Sequence, residues 1–307
     1  MQSVKVKCPG TLSNLCCGFD ILGLALEEPC DIIELRKTTT TGIRIQHLDA
    51  YNLPLDPKQN IAGVALQAML DHLQSSQGFE IIIEKNIKPG SGIGSSAASA
   101  AGVVVAANIL LGSPFSKKEL VAFAMEGEVL ASGSKHADNL APCIYGGLVL
   151  IRDTPTLDII ELQTPPIFIS VVHPQIEIKT SYARSILPKE IALKSAVTQW
   201  ANVAGLVSGF LQSDYELISR SLTDVIVEPV RSQLIPGFDL VKQRSMAAGA
   251  LGGGISGSGP SLFMLSRDRT TAENVAVQMK SVFDELAIES KAYVSGISKY
   301  GVEIITS

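Results

Sequence analysis

Aromatic residues make up only 5% of this 307-residue chain, with a single Trp, and there are only four histidines. The apolar 46% is therefore mostly Ala, Val, Ile and Leu, which together with 26 Gly suits closely packed helix-on-sheet layers. That composition excludes disorder and collagen-like repeats. The longest weakly polar stretch, 97–111, is broken by Ser99 and Asn108 and falls short of the roughly 18 to 20 residues a spanning helix needs. No membrane partner is expected. Residues 1–7 alternate like a strand and lack the apolar middle of a signal peptide. The cysteines, at 8, 16, 17, 30 and 143, are odd in number and sparse, and the adjacent pair could hardly bridge to itself, so reduced thiols and a cytoplasmic location are expected. A basic excess is missing too. The 25 Lys plus Arg are scattered against 30 Asp plus Glu, a net charge of -5, which argues against a nucleic-acid partner.

Several common site signatures are also absent. The histidines at 47, 72, 136 and 173 show no ligand spacing with one another or with the cysteines, which argues against structural zinc. No Gly-Lys dipeptide occurs, so there is no Walker A loop. Gly252, Gly254 and Gly257 formally spell G-x-G-x-x-G, but Pro260 and the strand-like 261–265 follow where a dinucleotide fold requires a helix. Ser132-x-x-Lys135 matches a serine acyl-transfer pattern, yet Asp138-Asn139 follows too closely to be its second element.

What is present is a regular order of elements over about twice the usual 150-residue domain. Strand-like runs at 4–8, 31–36, 43–47 and 79–84 precede a glycine-rich loop and a small-residue helix from about 95 to 111. Helical spacing after the Pro54–Pro57 loop predicts an amphipathic helix with Asn60 near its start, and Ser116 with Glu119 predicts a capped helix to about 130. Strands are expected at 144–152 and 158–162. Pro165-Pro166 is the expected boundary between domains at 1–165 and 166–307. Beyond it come a strand at 167–172, helices in 189–222 and 238–248, a strand at 261–265, a helix at 271–286 and a strand at 292–297. That order is compatible with a ferredoxin-like α+β sandwich.

The sharpest signal is Lys88-Pro89-Gly90-Ser91-Gly92-Ile93-Gly94-Ser95-Ser96-Ala97-Ala98, leaving a strand and entering a helix. Alternating glycines let backbone N–H groups approach an anion, and a helix start adds unpaired donors and the positive dipole end. Such a segment can cradle phosphates, though on its own it could also be a turn before an Ala-rich helix.

This loop resembles the nucleotide-binding motif of the GHMP small-molecule kinases, close to P-x-G-x-G-L-G-S-S-A-A. Two further stretches resemble the other motifs of that superfamily, Pro9 to Asp20 and Ile255 to Ser261, in order across nearly the whole chain. Within the superfamily the chain is most similar to the homoserine kinase family. Asn14 to Leu24, Glu128 to Asn139, Thr180 to Pro188 and Val227 to Arg231 carry that resemblance. Cys16-Cys17 departs from it.

The resemblance implies a two-domain GHMP kinase fold of α+β class, with an N-terminal mixed α/β ATP-binding domain and a C-terminal ferredoxin-like sandwich. It implies phosphorylation of the hydroxyl of L-homoserine by ATP, and is compatible with a homodimer. Residues 88 to 98 would bind the nucleotide, Asn60 would lie near its adenine end, and Ser96 with Glu128 would hold Mg²⁺. Asn14, Asp20, His136, Asp138, Thr180, Arg184 and Arg231 would form the substrate pocket, with the two arginines on the carboxylate and Asp20 near the attacking hydroxyl. Asp20, Glu128 and Ser96 would carry catalysis. Taken alone, Asp20 could instead cap a helix beginning at Ile21, Glu126 rivals Glu128, and both arginines could be solvated surface charges. Another GHMP kinase, or a catalytically silent nucleotide-binding relative, remains the alternative.

Overall fold

The computed structural model of the protein describes residues 1–133 and 135–305; Ser134, within the family-like segment, and the side chains of Ala131 and Ser132 lie outside that description. Strand β1 (Ser3–Ser13) buries Val4, Val6 and Cys8 while Ser3 and Lys5 face solvent, the alternation that a half-covered strand dictates. It pairs antiparallel with β2 (Leu22–Thr38), a strand long enough to take two further partners. Leu22–Leu24 pair with β5 (Leu148–Asp153), and Ile32–Thr38 pair with β4 (Gly78–Glu84). Strand β3 (Ile43–His47) joins β4 in parallel, β6 (Asp158–Leu162) joins β5, and β11 (Glu303–Ile304) joins β1.

Helices α1 (Ile61–His72), α2 (Ser95–Leu110) and α3 (Lys117–Ser132) pack together, with α2 lying against β1 and β2. Helix α2 holds small residues on all sides because it is buried on all sides, and Gly102 has no Cβ because Cys8 Sγ fills that space. Ser116 and Glu119 form the expected capping box at α3.

The second sheet starts at β7 (Phe168–Pro174), just past Pro165-Pro166. The chain then runs through α5 (Thr180–Ser185), α6 (Leu193–Gln212), α7 (Tyr215–Ser221), α8 (Glu228–Arg231) and α9 (Phe238–Ala247) to β8 (Gly252–Ile255) and β9 (Leu262–Ser266). Helix α10 (Arg269–Glu285) and β10 (Ser290–Gly296) complete an antiparallel sheet of order β10-β7-β9-β8, the ferredoxin-like arrangement. Alternation decides which core each residue joins. Val172, Leu262 and Met264 meet Phe238, Met279 and Phe283 of α9 and α10, whereas Ile169, Val171, Phe263 and Leu265 turn toward Leu206, Phe210 and the core of the first sheet. The fold is therefore a two-sheet α+β structure whose halves share the larger of two cores.

One expected element needs correction, and three further elements were not expected from the sequence. The predicted strand at 144–152 begins only at Leu148, because a short helix α4 (Leu140–Tyr145) precedes it. Pro142 is tolerated in that helix's first turn, and the left-handed Gly146-Gly147 ends it. Gly252 to Ile255 is a buried strand; a Cβ at Gly253 would land on Phe263 O. Helix α5 carries no periodic apolar signal. The last strand returns to β1, so the first sheet includes residues from the end of the chain.

Candidate active site

Where β4 gives way to α2, the loop uses its glycines for three different reasons. Gly90 has φ +75° with open space around a hypothetical Cβ, so only its backbone conformation demands glycine. Gly92 has φ +82°, and a Cβ there would come within 2.6 Å of Gly259 O and 2.8 Å of Ser256 O. Gly94, at φ +73°, sits where a Cβ would land on Thr11 Oγ1. As the residue before α2, Gly94 has no side chain to cap the first-turn N–H groups, which leaves those donors and the helix dipole to an anion in the cleft.

The loop is held from two sides. Ser256 Oγ donates to Gly92 O at 2.6 Å and Ser261 Oγ to Ser91 O at 2.6 Å, both from the second half of the chain. Beneath it Lys85 Nζ, buried, pairs with Asp31 and donates to Ser95 O at 2.6 Å and Ser99 Oγ at 2.9 Å. Asp31 Oδ1 in turn accepts the N–H groups of Asn86 (2.8 Å) and Ile87 (2.9 Å), so the buried ion pair is fully hydrogen-bonded.

Across a cleft of about 290 Å³ lies a second group of polar side chains. Asn14, Leu15 and Cys16 are consecutive left-handed residues, and Asp20 is left-handed at φ +62°, so the segment folds back on itself and turns Asn14 and Asp20 into the cleft. Asn14 Oδ1 accepts from the Asp20 N–H at 3.1 Å, and Asn14 Nδ2 donates to Gly257 O at 2.9 Å. Arg184 grips Asp20 bidentately, Nη1 to Oδ2 at 3.0 Å and Nη2 to Oδ1 at 2.8 Å, and His136 Nδ1 lies 3.9 Å from the same carboxylate. Arg231, only 3% exposed, donates to Ala183 O (3.1 Å) and Gly257 O (2.9 Å). Burial, reinforced by the neighbouring Arg184 charge, pushes its guanidinium down to about 10.

Two carboxyls, Glu128 and Asp138, line the same cleft. Burial raises Glu128 to about 7, against the pull of a Ser96 hydrogen bond and with the Asp138 charge adding to the rise. Burial, then the Asp20 charge, likewise raises Asp138 to about 7. The buried carboxylate of Glu128 and the Ser96 hydroxyl bonded to it are hard oxygen donors of the kind magnesium takes. Among the described residues no cluster of three or more His, Cys, Asp or Glu could hold a metal alone. The donor set therefore fits a cation that arrives with phosphates, as Mg²⁺ does with nucleotides.

Most expected residues come together in the cleft. Asn14, Asp20, Pro89, Gly90, Gly92, Gly94, Ser95, Ser96, Glu128, His136, Asp138, Thr180, Arg184 and Arg231 all line it. Glu126, the rival of Glu128, is exposed and paired with Lys135. Asp20 caps no helix, since the chain enters β2 at Leu22. Asn60 is not among the lining residues. Its Oδ1 accepts from the Ala62 N–H to cap α1, and its Nδ2 donates to Pro54 O at 2.7 Å beside His47. Lys88 turns away to Gln175, Ser91 and Ile93 are buried beneath the loop, and Ala97 and Ala98 serve packing. Sequence reasoning missed Ser13, Phe19, Lys85, Ser99, Asn139 and Ser258, which also line the cleft. Asn139 links Thr11 Oγ1 (2.8 Å) and Ser13 Oγ (3.0 Å), joining strand β1 to the loop before α4, and no local signal announces such a pairing.

Comparison with known proteins finds matches over nearly the whole chain. The model of the GHMP kinases N terminal domain matches residues 60–147, and that of the GHMP kinases C terminal matches residues 206–285. The chain is 46% identical to a homoserine kinase of Chloroherpeton thalassium, covering 99% of this chain and 100% of that protein. It is 45% identical to one of Chlorobaculum tepidum, covering 100% and 99%. The crystal structure of a homoserine kinase from Cytophaga hutchinsonii superposes with a TM-score of 0.96 at 48% identity, covering 99% of this chain and 98% of that one. The crystal structure of an L. major mevalonate kinase shares the fold alone, with a TM-score of 0.75 at 17% identity over 95% of each chain.

Proposed function

The chain belongs to the GHMP kinases, among the homoserine kinases, and from that membership we infer that it transfers the γ-phosphoryl group of ATP to the hydroxyl of L-homoserine, yielding O-phospho-L-homoserine and ADP in threonine biosynthesis. The observation that carries this reading is one cleft with a backbone phosphate cradle at one end and two arginines at the other. Phosphoryl transfer asks mainly for positioning and charge neutralisation, which that arrangement can supply.

The roles we assign are these. The N–H groups from Gly90 to Ser96 hold the phosphates, with Lys88, Pro89, Ala97 and Ala98 shaping the loop. Ser96 and Glu128 hold Mg²⁺, which when bound neutralises charge on the phosphates. Arg231 and the outer edge of Arg184 receive the substrate carboxylate, and both remain forked donors suited to it. Asp20, through its bond to Arg184 and its place beside His136, orients the attacking hydroxyl and accepts its proton or hydrogen bond. Asn14, Asp138 and Thr180 complete the pocket around the ammonium group. Asn60 acts on the nucleotide end only through the cap of α1. We further propose a division at 165/166, a cytoplasmic setting consistent with five thiols, and a homodimer that light scattering would detect.

The test is ADP release in a coupled assay with homoserine, mevalonate, galactose and shikimate, each with and without magnesium. Turnover confined to homoserine and dependent on magnesium is expected. No turnover of homoserine would sink the proposal.

A further inference from the structure

The two arginines assigned to the substrate carboxylate have a neighbour in common. The ring of Phe19 lies 5.2 Å from Arg184 Cζ and 5.1 Å from Arg231 Cζ, and it lines the same cleft. Every other cation–ring pair among the described residues joins one ring to one cation. We propose that Phe19 is a positioning residue for substrate binding, holding Arg184 and Arg231 side by side so that one carboxylate can bridge them. This rests on the homoserine-kinase reading above.

The chemistry favours an aromatic ring at this point over any charged or hydrogen-bonding group. Two like charges held close repel, and here the Arg184 charge adds to burial in disfavouring the protonated Arg231. A carboxylate between them would remove the repulsion, yet it would also occupy the edge N–H donors that the substrate needs. A ring engages the faces of the guanidinium planes through its negative quadrupole and leaves their edges available. The existing hydrogen bonds fit that division. Asp20 takes one edge of Arg184, the carbonyls of Ala183 and Gly257 take Nε and Nη1 of Arg231, and both guanidinium carbons stand over the Phe19 ring without using a donor. Phe19 and Asp20 are consecutive, and with Asp20 left-handed one short segment meets Arg184 with both a ring and a carboxylate.

The experiment separates ring electronics from ring volume. Phe19→Leu, Phe19→Tyr and a series with mono-, tri- and pentafluorophenylalanine incorporated at position 19 are compared by steady-state kinetics in both substrates. Fluorination drains the negative face with little change of shape. The KM for homoserine should rise stepwise along the series, about 10-fold at its end, while kcat and the KM for ATP stay within about 3-fold. Phe19→Leu should behave like the pentafluoro variant, and Phe19→Tyr, which keeps the face, should stay within about 2-fold of the natural protein. A flat fluorine series, or KM values rising equally for ATP and homoserine, overturns the role of Phe19 even if Phe19→Leu fails to fold. Failure of the natural protein to turn over homoserine overturns the functional reading itself, a distinct result.

Discussion

Asp138 and Glu128 hold protons that ordinary carboxyls would have lost, and that has a measurable cost. Their folded values near 7 stand above ordinary values of 3.8 and 4.5, so the folded protein binds protons that the unfolded chain releases. The stabilisation this represents is fully present below the unfolded values and is lost as pH rises through about 7. The ligand-free protein should therefore weaken between about pH 4 and 7, and Asp138→Asn should flatten that slope. Urea midpoints across the range check it, and a parallel slope in the variant would contradict the assignment. His173 works in the opposite direction, since burial, with Lys88 and Lys291 nearby, depresses it to about 4. Its contribution is lost as pH falls from 6.5 toward that value, so the slope must be read as a difference from the variant. On activity, Asp20→Asn and Glu128→Gln should each lower kcat about 100-fold or more with thermal unfolding near normal. Near-normal rates in both would refute the roles assigned to them.

The phosphate loop can be dissected glycine by glycine because its three positions are constrained differently. Gly90→Ala meets only the left-handed strain, about 1–2 kcal/mol, and should leave a folded protein with a raised KM for ATP. Gly94→Ala adds a collision with Thr11 and should lose far more stability, as differential scanning fluorimetry would show. Lys85→Met leaves the Asp31 carboxylate buried without its cation, an expected loss of about 3–5 kcal/mol. At this scale the sequence was legible where a signal is local. The Ser116–Glu119 box, the Asn60 cap and the step from β4 through the glycines into α2 all act within a few residues. Asn60 does stand at the start of α1, but its side chain is buried against Ala62, Pro54 and His47 and so does not line the cleft. Lys85 with Asp31 and Phe19 with Arg184 escaped notice because strand pairing and α5 bring together residues far apart in the chain. Strand β8 escaped because glycines that admit a neighbouring backbone look like turn residues.

At the scale of the molecule, the two sheets are not beads on a string. Strand β11 closes onto β1, alternate residues of β7 and β9 enter the core of the first sheet, and Arg184 of the second half reaches across to Asp20 of the first. Ser256→Ala and Ser261→Ala should raise the KM for ATP several-fold more than the KM for homoserine, although both hydroxyls lie in the second half. Equal effects on both substrates would contradict that. These two hydroxyls also govern modularity. A chimera that splices residues 1–165 to the second half of a relative without these two serines would inherit every letter of the glycine loop yet lose the fastenings of Gly92 and Ser91. Recombination within this fold should thus succeed only between parents that keep serine at both fastening positions, so the halves must be inherited as a matched pair.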